Sequence, residues 1–140
     1  MVQREIEILL VEDDADDAEL TIHTLKKHKL VNTLLHLDEG EKALDYLYSS
    51  NNALPKLILL DLRMPKVDGI QILQRLKADH EKKNIPVVVL VSSKEGKNYV
   101  ESFQLKADSY ITKPVDFKKF FTAMSEIGLA WKIIDTPVAH

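Results

Sequence analysis

The fold class this sequence predicts is an α/β sandwich around a parallel sheet. Three observations predict it: five short apolar runs, a stretch of helical spacing after each, and a length of 140 residues that suits one core. The runs are Ile6 to Val11, Thr33 to Leu37, Leu57 to Leu60, Val87 to Val91 and Ser109 to Thr112. Three of them are continuously apolar, which suits strands covered on both faces, as in a parallel sheet. The segments between them place Ala18, Ile22 and Leu25 on one helical face, then Ala43, Leu44 and Leu47, then Ile70, Leu73 and Leu76, then Val100 and Phe103. A last segment carries Phe117, Phe120, Phe121, Met124 and Ile127, with Asp116 as its N-cap just after Lys113-Pro114. This alternation implies right-handed crossovers and three layers. No internal repeat, low-complexity tract or interdomain linker interrupts it, and Ser49 to Pro55 reads as a polar loop.

Composition narrows the partners. Nineteen Lys and Arg stand against 22 Asp and Glu, a formal net charge of −3 with the signs mixed. That balance gives no electrostatic footprint for nucleic acid or a membrane surface and argues for protein or small-molecule partners. With no cysteine there is no disulfide framework and no thiolate chemistry. No apolar run approaches a membrane span and Met1 to Glu7 lacks signal-peptide patterning, so the expected location is cytoplasmic. One domain is expected over residues 1–140, with an extended C-terminal helix or tail over roughly residues 128–140.

The acidic residues gather at strand ends. Glu12, Asp13 and Asp14 close the first run, and Asp61 closes the third. In an open doubly wound sheet, ligands bind beyond the carboxyl ends of the strands, where connections leave toward opposite faces. If the first and third strands are neighbours, Glu12, Asp13 and Asp61 converge, and their repulsion calls for a cation. Oxygen-only donors with room for waters suit Mg²⁺ better than zinc or copper. At the end of the fifth run Lys113 supplies an ammonium that could pair with Asp61 or a phosphoryl oxygen. Three carboxylates, one lysine and a place for Mg²⁺ fit phosphoryl transfer to a carboxylate, with Asp61 as nucleophile. An acidic triplet alone is weak evidence, since a solvated helix start is commoner.

Three stretches carry a family likeness: Ile8-Leu9-Leu10-Val11-Glu12-Asp13, Leu57 through Asp61-Leu62-Arg63-Met64-Pro65 to Gly69, and Tyr110-Ile111-Thr112-Lys113-Pro114. They resemble the CheY-like receiver domains of two-component response regulators, and the likeness covers nearly the whole chain. With Lys106 to Pro114 and Leu129-Ala130-Trp131, the chain looks more narrowly like the stand-alone receivers that accompany bacterial and cyanobacterial phytochrome kinases. The resemblance implies a flavodoxin-like (βα)5 sandwich with a five-stranded parallel sheet of order 2-1-3-4-5. It implies Asp61 as phospho-acceptor from a histidine kinase's phosphohistidine, and a signal passed through protein contacts rather than enzymatic turnover. Asp13 and Asp61 would bind Mg²⁺ directly, Glu12 through water and Arg63 by its backbone carbonyl, while Lys113 would contact the phosphoryl group. Met64-Pro65 and Gly69 would shape the loop after the third strand. Asp14 has no role in that site and reads as an acid near a helix start.

One position departs from the family. Where most receivers carry Thr or Ser, this chain has Val91. The usual hydroxyl donates to the phosphoryl group and couples it to the swing of an aromatic residue, here Tyr110. Losing one hydrogen bond to a charged acceptor removes about 1.5–3 kcal/mol, roughly a tenfold to hundredfold weaker bias toward the active state. Ser92 could substitute if the strand ends early or bulges, although strict alternation points it the other way.

Other features have plainer readings. His23-Thr24-Leu25-Lys26-Lys27 superficially matches a phospho-accepting histidine helix, but such domains are all-helical, so His23 is expected on the surface. His28, His36, His80 and His140 lack ligand spacing. Tyr46, Tyr48 and Tyr99 read as half-buried helix residues, and Lys26 to Lys29 and Lys118-Lys119 as solvated charge. Trp131 either closes over the core or, with Phe117, Phe120 and Ile134, anchors a homodimer through the last helix. Two rival functions remain at this level. A Mg²⁺-dependent hydrolase of the common aspartyl-phosphate kind needs a second Asp where Arg63 stands, and Val91 motivates a phosphorylation-independent binding module.

Overall fold

The computed structural model describes residues 6–31 and 33–128. Ten elements alternate: β1 (Ile8–Val11), α1 (Ala15–Lys27), β2 (Leu34–Leu37), α2 (Gly40–Leu47), β3 (Leu57–Asp61), α3 (Gly69–Ala78), β4 (Val87–Val91), α4 (Glu95–Glu101), β5 (Ser109–Thr112) and α5 (Phe117–Glu126). All five strands pair in parallel in the order β2-β1-β3-β4-β5, a flavodoxin-like fold and the order expected. The central strands β1, β3 and β4 are buried at every position. Edge strand β5 alternates buried and half-buried residues, as its one-sided burial requires.

The two-residue period of the strands divides the core into two layers. Leu9, Val11, Ile58, Leu60, Val89 and Val91 pack with α2, α3 and α4. Ile8, Leu10, Leu57, Leu59, Val88 and Leu90 pack with α1 and α5 on the opposite face.

The helix starts follow local chemistry. Asp14, Asp68 and Asp116 cap α1, α3 and α5, each accepting from a backbone amide three residues on. Asp68 and Gln71 form a reciprocal capping box. α5 ends at Glu126, and Gly128 at φ 72° turns the chain into the left-handed region. Trp131, Ile134 and the rest of the tail from residue 129 lie outside the described residues, as do residues 1–5.

Several surface assignments change. Phe120 is fully buried in the layer beneath α1 and α5, so it cannot anchor a dimer. Its neighbour Phe121 is the exposed ring on that helix, stacked on Phe117 at 5.8 Å. Helical phase explains the exchange: Phe120, Ala123 and Met124 share the inward face, and Phe121 points away. Tyr48 and Tyr99 are exposed, rather than half-buried, and each ring carries a cation over its face. Phe103 lies beyond the end of α4 and is likewise exposed.

Candidate functional site

Strand register brings the acids together. Val11 pairs with Leu60, so Glu12 follows β1 beside Asp61 at the end of β3. Carboxylate oxygens of Glu12, Asp13 and Asp61 all lie within 4.8 Å of one another. Glu12 is completely buried, Asp61 nearly so, and Asp13 is exposed at the mouth. The Glu12 backbone is clamped from the edge of the sheet: its amide donates to Leu37 O at 3.1 Å, and its carbonyl lies 2.8 Å from His36 Nε2. The Asp14 carboxylate stays outside this cluster and caps α1, while the Asp14 amide donates to Glu12 Oε2 at 3.2 Å.

Lys113 reaches the same cluster from β5. Its Nζ lies 3.1 Å from Glu12 Oε1, 3.1 Å from Asp61 Oδ1 and 3.0 Å from Asp17 Oδ2. Two features aim it. The Lys113 amide donates to Val91 O at 2.8 Å, and Lys119 Nζ donates to Thr112 O and Pro114 O, on either side of Lys113. Lys119 therefore positions this segment and is not the merely solvated charge its sequence context suggested. Asp17 was also not foreseen. It lies in the first turn of α1, 96 residues from Lys113, and no sequence spacing links the two.

Three carboxylates around one ammonium leave the pocket electrically negative. Burial pushes the Asp61 carboxyl up to about 8, reinforced by the adjacent Glu12 carboxylate and opposed by Lys113. For Lys113, burial acts downward, but the hydrogen bond to Asp17 and the charges of Asp61 and Glu12 outweigh it and raise the ammonium above its ordinary value. The Glu12 carboxylate acts upward on both groups, adding to burial at Asp61 and opposing it at Lys113. A divalent cation among the three acids would relieve that excess, and hard oxygen donors fit Mg²⁺.

Glycines set the close approaches around this rim. A Cβ on Gly69 would come within 2.6 Å of Asp61 O and 2.9 Å of Leu62 Cα, so α3 starts directly against the backbone of Asp61. This gives Gly69 the loop-shaping part expected of it. A Cβ on Gly40 would collide with Val67 O, and one on Gly96 would lie 2.5 Å from Val91 Cγ1.

The neighbouring corner is apolar. Val91 is buried in the layer beneath α4, in the cluster against which Tyr110 packs. Tyr110 is half-buried, and its hydroxyl oxygen accepts from the Ala107 amide at 3.2 Å. Ser92 lies beyond the last residue of β4, where strand alternation no longer governs its direction. It lines the cavity that also contains Asp61 and Arg63, whereas Val91 does not. Among the described residues, no helix is long and apolar enough to cross a membrane.

Residues 8–125 match the family model of the response regulator receiver domain. The chain is 36% identical over 128 residues to response regulator Rcp1 of Synechocystis sp., covering 89% of this chain and 87% of Rcp1. The Mn²⁺-bound structure of Rcp1 superposes with a TM-score of 0.69 at 34% identity, over 95% of this chain and 97% of that one. The bacteriophytochrome response regulator AtBRR gives 0.85 at 40% identity, over 92% and 96% of the two chains. The phosphorylated cyanobacterial phytochrome response regulator RcpA gives 0.71 at 33% identity, over 91% and 94%.

Proposed function

The chain belongs to the response regulator receiver domain family, and from that premise we propose that Asp61 is its phospho-acceptor and Lys113 the cation that receives the phosphoryl oxygens. One observation carries the reading: Asp61 is buried at the end of β3, with Lys113 Nζ 3.1 Å from its Oδ1 and the carboxylates of Glu12 and Asp13 alongside. A histidine kinase is the donor, and the phytochrome regulators among the similar structures favour a phytochrome kinase. The kinase and this chain then meet in the cytoplasm.

Receiver domains are signalling modules, and this chain acts as one rather than as a turnover enzyme. In the transfer, an Asp61 carboxylate oxygen forms the new P–O bond while the P–N bond of the phosphohistidine breaks, its electron pair leaving on the imidazole. Lys113 exchanges part of its contact with Asp61 for a phosphoryl oxygen, while Glu12 and Asp17 hold its ammonium in place. Glu12, Asp13, Asp61 and the Arg63 carbonyl would hold Mg²⁺, which when bound neutralises phosphoryl charge. Because burial and Glu12 raise Asp61 to about 8, a bound cation would also favour the ionised nucleophile.

Val91, Ser92 and Tyr110 form the response side of the proposal, with Ser92 offering the hydroxyl that Val91 lacks. Association of two copies through the last helix remains part of the reading, now with Phe117 and exposed Phe121 in place of Phe120. The direct test is intact-mass spectrometry after incubation with phosphoramidate or acetyl phosphate and Mg²⁺. A single labile phosphoryl adduct, absent from Asp61→Asn, supports the assignment, and an adduct that persists in Asp61→Asn overturns it.

A further inference from the structure

Arg63, two residues beyond Asp61, holds its guanidinium carbon 5.5 Å from the centroid of the Tyr99 ring. Tyr99 in turn meets Phe103 edge to face, with centroids 5.2 Å apart. Tyr99 is 42% exposed and Phe103 43%, so the pair forms an aromatic surface at the C-terminal end of α4 and just beyond it. Arg63, Tyr99, Ser92 and Glu95 line one cavity of about 590 Å³ together with Asp61. Although Glu95 borders that cavity, none of the ion pairs among the described residues involves Arg63. The other cation beside Asp61, Lys113, is already divided among Asp61, Glu12 and Asp17. A phosphoryl group on Asp61 therefore brings new negative charge into a cavity where the uncommitted cation rests on an aromatic face.

Building on the acceptor reading above, we propose that Arg63 is a second cationic ligand of the phosphoryl group, drawn to the phosphoryl oxygens from its place on the Tyr99 ring. A guanidinium makes paired, charge-assisted hydrogen bonds to phosphoryl oxygens, and these are stronger than a solvent-exposed cation–π contact. Phosphorylation thus draws Arg63 toward Asp61 and strips the cation from Tyr99, changing the charge and shape of the Tyr99–Phe103 surface. This route from acceptor to α4 bypasses Val91, the position that lacks a hydroxyl. The backbone carbonyl of Arg63 would keep its separate role in holding Mg²⁺. In this proposal Arg63 leaves the ring to reach the phosphoryl oxygens, so the ring and the phosphoryl group compete, and removing one or the other changes affinity in opposite directions.

The test is a titration of the full chain with beryllofluoride and Mg²⁺, followed by NMR. Arg63→Gln is expected to weaken beryllofluoride binding about tenfold, the scale of one hydrogen bond to a charged acceptor. Tyr99→Leu is expected to tighten it about threefold, because the competing ring is gone. In the parent protein, the ring-current shift of the Arg63 side-chain protons should disappear on binding. Unchanged affinity in Arg63→Gln, or weakening in Tyr99→Leu equal to that in Arg63→Gln, overturns the proposal, the second pattern marking Tyr99 as a mere support. Failure of the parent chain to bind beryllofluoride, or equal binding by Asp61→Asn, refutes the acceptor reading itself and this inference with it.

Discussion

Two corners of one rim, barely a strand apart, are built on opposite principles. At the ends of β1, β3 and β5, Glu12, Asp61, Asp17 and Lys113 form a tight charged knot in which one ammonium serves three carboxylates. At the end of β4, Val91 fills an apolar slot against Gly96, in the cluster that carries Tyr110. The charged corner has the parts proposed for receiving a phosphoryl group. The apolar corner is the proposed response side, and Val91 itself carries no hydrogen-bond donor toward the charged one. Chemistry and response can therefore be separated by experiment in this protein, because different residues limit each.

The largest expected effect breaks the charged corner. Asp61→Asn should abolish phosphoryl incorporation and also stabilise the metal-free fold. With Asp61 raised from 3.8 to about 8, the folded state keeps a proton that the unfolded chain releases between those values. The stability cost of ionising Asp61 therefore grows as pH rises from about 4 to 8 and is complete above that. Urea titrations should show the Asn variant more stable than the parent at pH 8.5 and nearly level with it at pH 4. Added Mg²⁺ should narrow the gap at high pH. An Asn variant no more stable than the parent across this range would mean that Lys113 already compensates Asp61 fully.

Next in size is a test of the apolar corner's fit. Gly96→Ala should destabilise by about 1–3 kcal/mol because the new methyl meets Val91. Combining it with Val91→Ala should recover part of that loss, giving a favourable coupling in a double-mutant cycle. Purely additive denaturation energies would show that the methyl is accommodated elsewhere.

Val91→Thr joins the two corners. It keeps the β-branched shape that fits over Gly96 and adds a hydroxyl at the position where most receivers carry one. With beryllofluoride and Mg²⁺, the active population reported by NMR around Tyr110 should rise about tenfold over that of the parent. If the parent already switches fully, Ser92, which shares the cavity with Asp61, supplies the bond.

The smallest effect is expected at Asp17→Asn, which removes the most exposed of the three Lys113 partners. Phosphorylation by phosphoramidate should slow only about twofold to threefold, since Glu12 and Asp61 still hold the ammonium. A loss as large as that of Lys113→Ala would make Asp17 the residue that aims Lys113.

How much of this was legible beforehand depended on whether a feature is written in local periodicity or in contacts between distant segments. The five apolar runs, the cap at Asp116, and the acids closing β1 and β3 are local patterns, because strand and helix periods and capping act over a few residues. The parallel arrangement follows from alternating strand and helix and from the handedness of crossovers, and the strand order was what the family likeness implied. Assignment of Asp61, Glu12, Asp13 and Lys113 to one pocket needed only that order plus the family likeness. Asp17 on Lys113, Lys119 braced across Thr112 and Pro114, and Arg63 on Tyr99 depend instead on where side chains from separate elements end in space. The inward turn of Phe120 rather than Phe121 depends on the rotation of α5 about its axis, which its packing against the sheet decides. Sequence alone determined which chemistry stands at the strand ends. Tertiary packing decided which cation answers which carboxylate, because Coulomb and hydrogen-bond energies depend on separations of a few ångströms that local sequence patterns do not encode.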